Sequence, residues 1–153
     1  MHKSNPSKSW SQGHPHRSHL LPRHWCLFYA YWGKHDYAKA VDEFKRYAQL
    51  STSSNEMEFA DALDQGFHAG GWKAGIRKAV EVRLVQRKRG FVSPLEIAGY
   101  YAELGDKEQA FAWLETAYRE RDYLMESLRT EYKLDPIRSD PHFDELVRKV
   151  GIP

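Results

Sequence analysis

Apolar residues along this chain recur at intervals of three and four, the spacing that places them on one face of a helix. The segments "HDYAKAVDEFKRY" at 35–47, "GGWKAGIRKAVEV" at 70–82 and "GDKEQAFAWLETA" at 105–117 start 35 residues apart. In each, a small residue (Ala40, Gly75, Ala110) is followed four positions on by Phe44, Ala79 or Leu114, and then by Tyr47, Val82 or Ala117. The same stripe thus occurs three times. The small residue at its head lets the helix lie close against a neighbour.

A second stripe precedes each of these. Leu27, Phe28 and Tyr31 follow Pro22, whereas Phe59, Ala62, Leu63 and Gly66 follow the start signal Ser53-Ser54-Asn55. Ile97, Ala98 and Tyr101 follow Ser93-Pro94-Leu95-Glu96, a capping box with proline at the first helical position. Between the two stripes of each unit stands a short turn at Asp36, Gly71 or Asp106. The pattern predicts helix, turn, helix, three times over, with units at about 22–54, 55–90 and 91–122. A fixed period of this length is the mark of a helical-hairpin array. The glycines at 66 and 75 predict a loose middle hairpin, because glycine inside a helix costs roughly 1 kcal/mol relative to alanine.

The third unit, "FVSPLEIAGYYAELGDKEQAFAWLETAYRERD", resembles a tetratricopeptide (TPR) repeat through Ala98, Tyr101, Gly105-Asp106, Ala110 and Ala117. The first unit matches through Tyr31, Asp36, Tyr37, Ala40 and Phe44. The middle unit departs from the pattern, with Gly66 for the aromatic and Gly75 for the alanine. The closing stretch "YKLDPIRSDPHFDELVRKVGIP" is similar to the tail of bacterial TPR proteins in which an amino-terminal effector precedes the repeats. Residues 123–153 read as a cap. Asp140 is a good N-cap before Pro141, while Phe143, Leu146, Val147 and Val150 form an apolar face and Gly151 ends the helix. The resemblance implies an all-α fold, a right-handed superhelical solenoid of antiparallel helix pairs closed by a C-terminal capping helix.

Charge changes the picture at the amino terminus. The chain of 153 residues carries a net +2, yet its first 35 residues hold five cations (Lys3, Lys8, Arg17, Arg23, Lys34) and no acid, leaving the remainder at −3. Residues 1–21 are rich in Ser, His, Pro and Lys without helical or strand periodicity, and we expect a disordered basic leader. Its histidines, His2, His14, His16 and His19, lack the fixed surroundings of a specific metal site, so no metal or cofactor is expected. The one cysteine, Cys26, reads as a small buried apolar residue. No apolar run reaches the ~20 residues of a membrane helix, and the longest, "WCLFYAYW" at 25–32, follows a polar leader unlike a signal peptide. We expect a cytoplasmic protein without membrane contact.

Enzymatic chemistry finds no support in the motifs. "GGWKAGIRKA" has no preceding strand pattern, and Ala74 stands where a phosphate loop needs Ser or Thr after the lysine. The basic run "RLVQRKRG" (Arg83 through Arg89) reads as a solvated helix end, so nucleic acid is not an expected partner. Glu43, Glu108 and Glu115 fall on outward positions, and neither a nucleophile elbow nor a paired-histidine metal motif occurs. The expected function is therefore a non-enzymatic protein–protein interaction scaffold that binds a partner peptide or helix in a concave groove. In the family register the groove would be lined by Trp25, Tyr29 and Trp32, by Asp64, Phe67 and His68, and by Leu95, Ala102 and Glu103. The alternative for the first three is that they pack on the leader, on one another or on an upstream repeat. The resemblance also implies a second class of function, the sensory or regulatory end of a transcriptional regulator or kinase with its effector outside this chain. Partner identity and oligomeric state have no signature in these residues.

Overall fold

The computed structural model describes residues 17–151. The leader expected at 1–21 lies outside them, apart from residues 17–21. All regular secondary structure among the described residues is helical: α1 (Arg17–Gly33), α2 (Tyr37–Ser51), α3 (Ser54–Gly70), α4 (Trp72–Arg87), α5 (Pro94–Leu104), α6 (Lys107–Arg119) and α7 (Pro141–Val150). Two 3₁₀-helices, Tyr123–Ser127 and Tyr132–Ile137, lie between α6 and α7. The chain divides into two compact units, one ending at Thr52 and the other beginning at Ser53.

In the first unit α1 packs on α2. Helix α1 starts ahead of the expected boundary at Pro22 and runs through that proline, which forgoes one ladder bond near the helix start. In the second unit α3 packs on α4, α4 on α5 and α5 on α6, while α7 and the second 3₁₀-helix close against α6 and α5 respectively. Consecutive helices are thus paired by short connections.

Side-chain caps set the helix starts. Asp36, Ser53, Ser93, Asp106 and Asp140 each accept a hydrogen bond from a backbone N–H in the first turn they precede. Two of the turns share one construction 70 residues apart, twice the sequence period. His35 and Gly105 both take left-handed backbone, with φ of 60° and 81°. The next N–H then reaches five residues back, from Asp36 to the Tyr31 carbonyl at 2.9 Å and from Asp106 to the Tyr101 carbonyl at 3.0 Å. This is a Schellman closure, and the aspartate that completes it also caps the following helix. The middle turn differs, because Gly71 alone separates α3 from α4.

The α3–α4 crossing explains the glycines of the middle hairpin. A Cβ on Gly66 would stand 2.5 Å from the Ala74 carbonyl oxygen and 2.7 Å from the Gly75 Cα; one on Gly75 would stand 2.8 Å from the Leu63 carbonyl oxygen. The two helices therefore meet backbone to backbone. The propensity cost is offset by close packing around Phe59, Leu63, Ile76, Ala79 and Val80, all buried, so the expected looseness is not what these glycines produce.

The core of the second unit continues through α5, α6 and the carboxy-terminal segment. Leu95, Ala98 and Ala102 meet Ala110, Leu114 and Ala117, and Leu128, Leu134, Ile137, Phe143, Leu146 and Val147 close over them. The cap expected at Asp140-Pro141 is present, with Phe143, Leu146 and Val147 buried and Gly151 in left-handed backbone at its end.

Candidate functional site

In α1, the residues expected to face a groove form the face that packs on α2. Trp25 lies 4.9 Å from the Tyr47 ring and 6.1 Å from Phe44; Phe28 lies 4.9 Å from Phe44. Tyr29 meets Trp25 edge-on at 4.8 Å, and Trp32 stacks at 6.1 Å from Tyr29 and is buried. Trp25, Tyr29 and Trp32 therefore pack on one another and on the α1–α2 core. A ring at each of i, i+3, i+4 and i+7 makes this the broadest apolar face of the helix, and burial follows area. Cys26, off that stripe, is exposed rather than buried. A shallow depression of about 410 Å³ lies on this unit beside Trp25, Leu21 and Tyr47.

In the second unit the candidates separate. Leu95 and Ala102 are fully buried and offer no surface. Their helix, α5, is flanked by α4, α6 and the second 3₁₀-helix, so both faces are covered by the chain itself. Lys133 of that 3₁₀-helix lays its stem across Gly99, and its Nζ sits 5.8 Å from the Tyr100 ring centroid. Asp64, Phe67 and His68 stay together on the last turns of α3. The His68 ring meets Phe67 edge-on at 5.8 Å, and its Nδ1 lies 2.9 Å from the Asp64 carbonyl oxygen. Glu103 is engaged by its own chain, accepting a 2.8 Å hydrogen bond from the Trp72 indole N–H. That bond ties the start of α4 to the end of α5. Phe67 and His68 thus stand at the end of α3, and Glu103 is held by Trp72.

The basic run at the end of α4 is only partly solvated. Arg83 is 4% exposed. Its Nε donates to Glu96 at 3.1 Å, its Nη2 to Glu56 at 2.9 Å and its Nη1 to Gln86 at 2.9 Å, while the guanidinium carbon lies 4.3 Å from the Phe59 ring centroid. Glu96 also accepts from the Tyr100 hydroxyl at 2.7 Å, and Gln86 donates to the Asn55 carbonyl at 2.8 Å. Burial pulls the Arg83 pKa down, but Glu96, Tyr100 and Glu56 outweigh it and hold the guanidinium more firmly charged than usual. Burial first, then the Glu96 carboxylate, pushes the Tyr100 hydroxyl well above its ordinary value. Arg87 is half-buried, donating to the Val92 carbonyl and to Glu120, whereas Lys88 and Arg89 are exposed. The missed partners carried one signal: both capping boxes, Ser53 to Glu56 and Ser93 to Glu96, hold a glutamate at the same helical position.

Two of the carboxylates expected on the surface are engaged as well. Glu43 is buried, its Oε2 against His24 Nδ1 of α1 and its Oε1 accepting from Arg46 at 3.2 Å. Glu115 joins α6 to α7, accepting from Lys149 at 2.8 Å with His142 nearby at 3.7 Å, and the Lys149 bond holds its carboxyl below the ordinary value. Glu108 is exposed, as expected. Among the described residues no group of three or more His, Cys, Asp and Glu is placed to hold a metal ion, and no helix is long and apolar enough to cross a membrane. Of the leader histidines, His2, His14 and His16 lie outside the described residues. The chain matches no protein-family model, no curated protein and no solved structure.

Proposed function

We propose that this chain is a protein-interaction module of the tetratricopeptide type, a right-handed solenoid of helical hairpins that holds a partner peptide or helix and performs no reaction itself. One observation carries the proposal: the N-cap positions of α2, α4 and α6 stand at Asp36, Gly71 and Asp106, and the first and last of these turns share one hydrogen-bonding pattern. Such periodic construction builds surfaces rather than pockets with positioned acids and bases. Binding would centre on the end of α3, where Phe67 supplies apolar contact area and Asp64 and His68 fix the orientation of what lies on it. Leu95, Ala102 and Trp32, being buried, take no part. As a scaffold of this kind it would act in the cytoplasm.

The experiment is partner capture by the full chain, by His68→Glu and by Phe67→Ala, each compared at matched melting temperature. The exposed His68 can be replaced by a carboxylate without disturbing the core. We expect at least one protein held by the wild type and lost from both variants. Identical captured sets would remove the α3 surface from the proposal, and failure of the wild type to retain any protein would remove the interaction module itself.

A further inference from the structure

The two most exposed large apolar side chains among the described residues are Phe91, at 67%, and Tyr123, at 69%. They are 32 positions apart in sequence, yet their rings stand 6.4 Å from each other, opened at 38°. Both edge a small polar cleft of about 220 Å³ whose inner wall carries Glu56, Glu96, Arg83 and Gln86. A soluble chain that leaves two aromatic rings in water at the mouth of a charged cleft has a feature its own packing does not explain.

The charge of the cleft selects what fits. Two carboxylates line it against one guanidinium, and Asp122 adds a third carboxylate behind the wall, bonded to the Ser93 hydroxyl and to the Leu95 N–H at 3.1 Å. The starts of α3 and α5 contribute about half a positive charge each, which leaves the balance negative. Arg83 engages Oε2 of Glu56 and Oε1 of Glu96. The opposite oxygens, Glu56 Oε1 and Glu96 Oε2, have no hydrogen-bond partner among the described residues. Both glutamates line the cleft and are mostly but not wholly covered, with side chains 20% and 17% accessible.

We propose that this cleft receives an arginine side chain of a partner protein. The guanidinium plane lies against the Phe91 or Tyr123 ring, and its N–H groups reach the outer oxygens of Glu56 and Glu96. Arginine suits the site better than lysine because a planar, weakly hydrated cation can stack on a ring while donating in its own plane. The cleft lies at the start of α3, whereas Phe67 and His68 lie at its end. A helical rise of 1.5 Å per residue separates Glu56 from Phe67 by about 16 Å, so the two surfaces can fail independently.

The test is an NMR titration of the isotopically labelled full chain with a blocked arginine, N-acetyl-arginine-N-methylamide. The citrulline analogue, of equal shape without the charge, and N-acetyl-glutamate-N-methylamide serve as the comparison probes. Saturable shifts of the Phe91 and Tyr123 ring signals with the arginine probe alone, in the millimolar range and weakened by salt, are the expected result. Phe91→Ala and Tyr123→Ala, both at exposed positions, should keep the wild-type melting curve and each weaken the binding by about 3-fold. Equal response to citrulline, a response to the glutamate probe in place of arginine, no ring shifts, or undiminished binding in the two variants together would each overturn the proposal.

Discussion

Arg83 shows how much one side chain can hold. Its three nitrogens bind residues of α3, α4 and α5, and the ring of Phe59 covers its face. Removing it leaves Glu56 and Glu96 facing each other without a cation. Arg83→Met, which keeps the volume and loses the charge, should destabilise the second unit by about 3–5 kcal/mol in urea unfolding. The same substitution combined with Glu56→Gln and Glu96→Gln should recover part of that loss, since the penalty is an unpaired charge and not a cavity. This residue was illegible in the sequence for a definite reason. The run from Arg83 to Arg89 looks uniformly basic, whereas the partners that bury its first member come from 13 and 27 residues away. Local composition carries no information about them. Asp122, which bonds Ser93 at the start of α5 from beyond α6, was hidden in the same way.

At the scale of elements, signals carried within one turn of chain were readable and choices between faces were not. Asp36, Ser53, Ser93, Asp106 and Asp140 announce the helices they cap because a cap is local, and Gly151 ends α7 for the same reason. The face of α1 that is buried depends on what lies against it. Leu27 and Tyr31 remain half-buried, while Phe28 and Trp32 take the core positions. For α5 the difficulty was the opposite, since Leu95 and Ala102 share a core with α6 and with residues the sequence pattern presented only as a cap. The helix crossing at Gly66 and Gly75 is open to a direct test. Alanine raises helix propensity by as much as ~1 kcal/mol, yet at either position its methyl would collide with backbone that has no rotamer to change. Gly66→Ala and Gly75→Ala should therefore lower stability by about 1–3 kcal/mol despite the better helix former. An unchanged or raised denaturation midpoint would show that α3 and α4 do not meet in this way.

For the molecule as a whole, the sign of its response to alkali follows from two tyrosines of the second unit. Burial raises the hydroxyls of Tyr100 and Tyr132 above the ordinary 10.0, with Glu96 adding to the effect on Tyr100 and Glu131 on Tyr132. A group whose folded pKa is raised keeps its proton in the fold after the unfolded chain has released it. Its contribution to stability is complete below about pH 10 and declines as the pH rises beyond that. Urea midpoints should accordingly fall as the pH rises from about 10 upward, and Tyr100→Phe should reduce the slope even though it loses the hydrogen bond to Glu96 at every pH. The repeat period and the caps made the all-helical organisation of the chain legible from its residues alone; the charged interior that sets this titration was not, because it is assembled from three helices.

The contact between Gly66 and Gly75 also bears on how the second unit can move. Packed helices slide past one another by small shears in which interdigitated side chains switch rotamers. Where backbone rests on backbone there are no side chains to switch, so α3 and α4 can be displaced only as one piece. A displacement of this pair relative to α5 would turn on the segment between α4 and α5, residues 88–93, which leads directly into Ser93 and the start of α5.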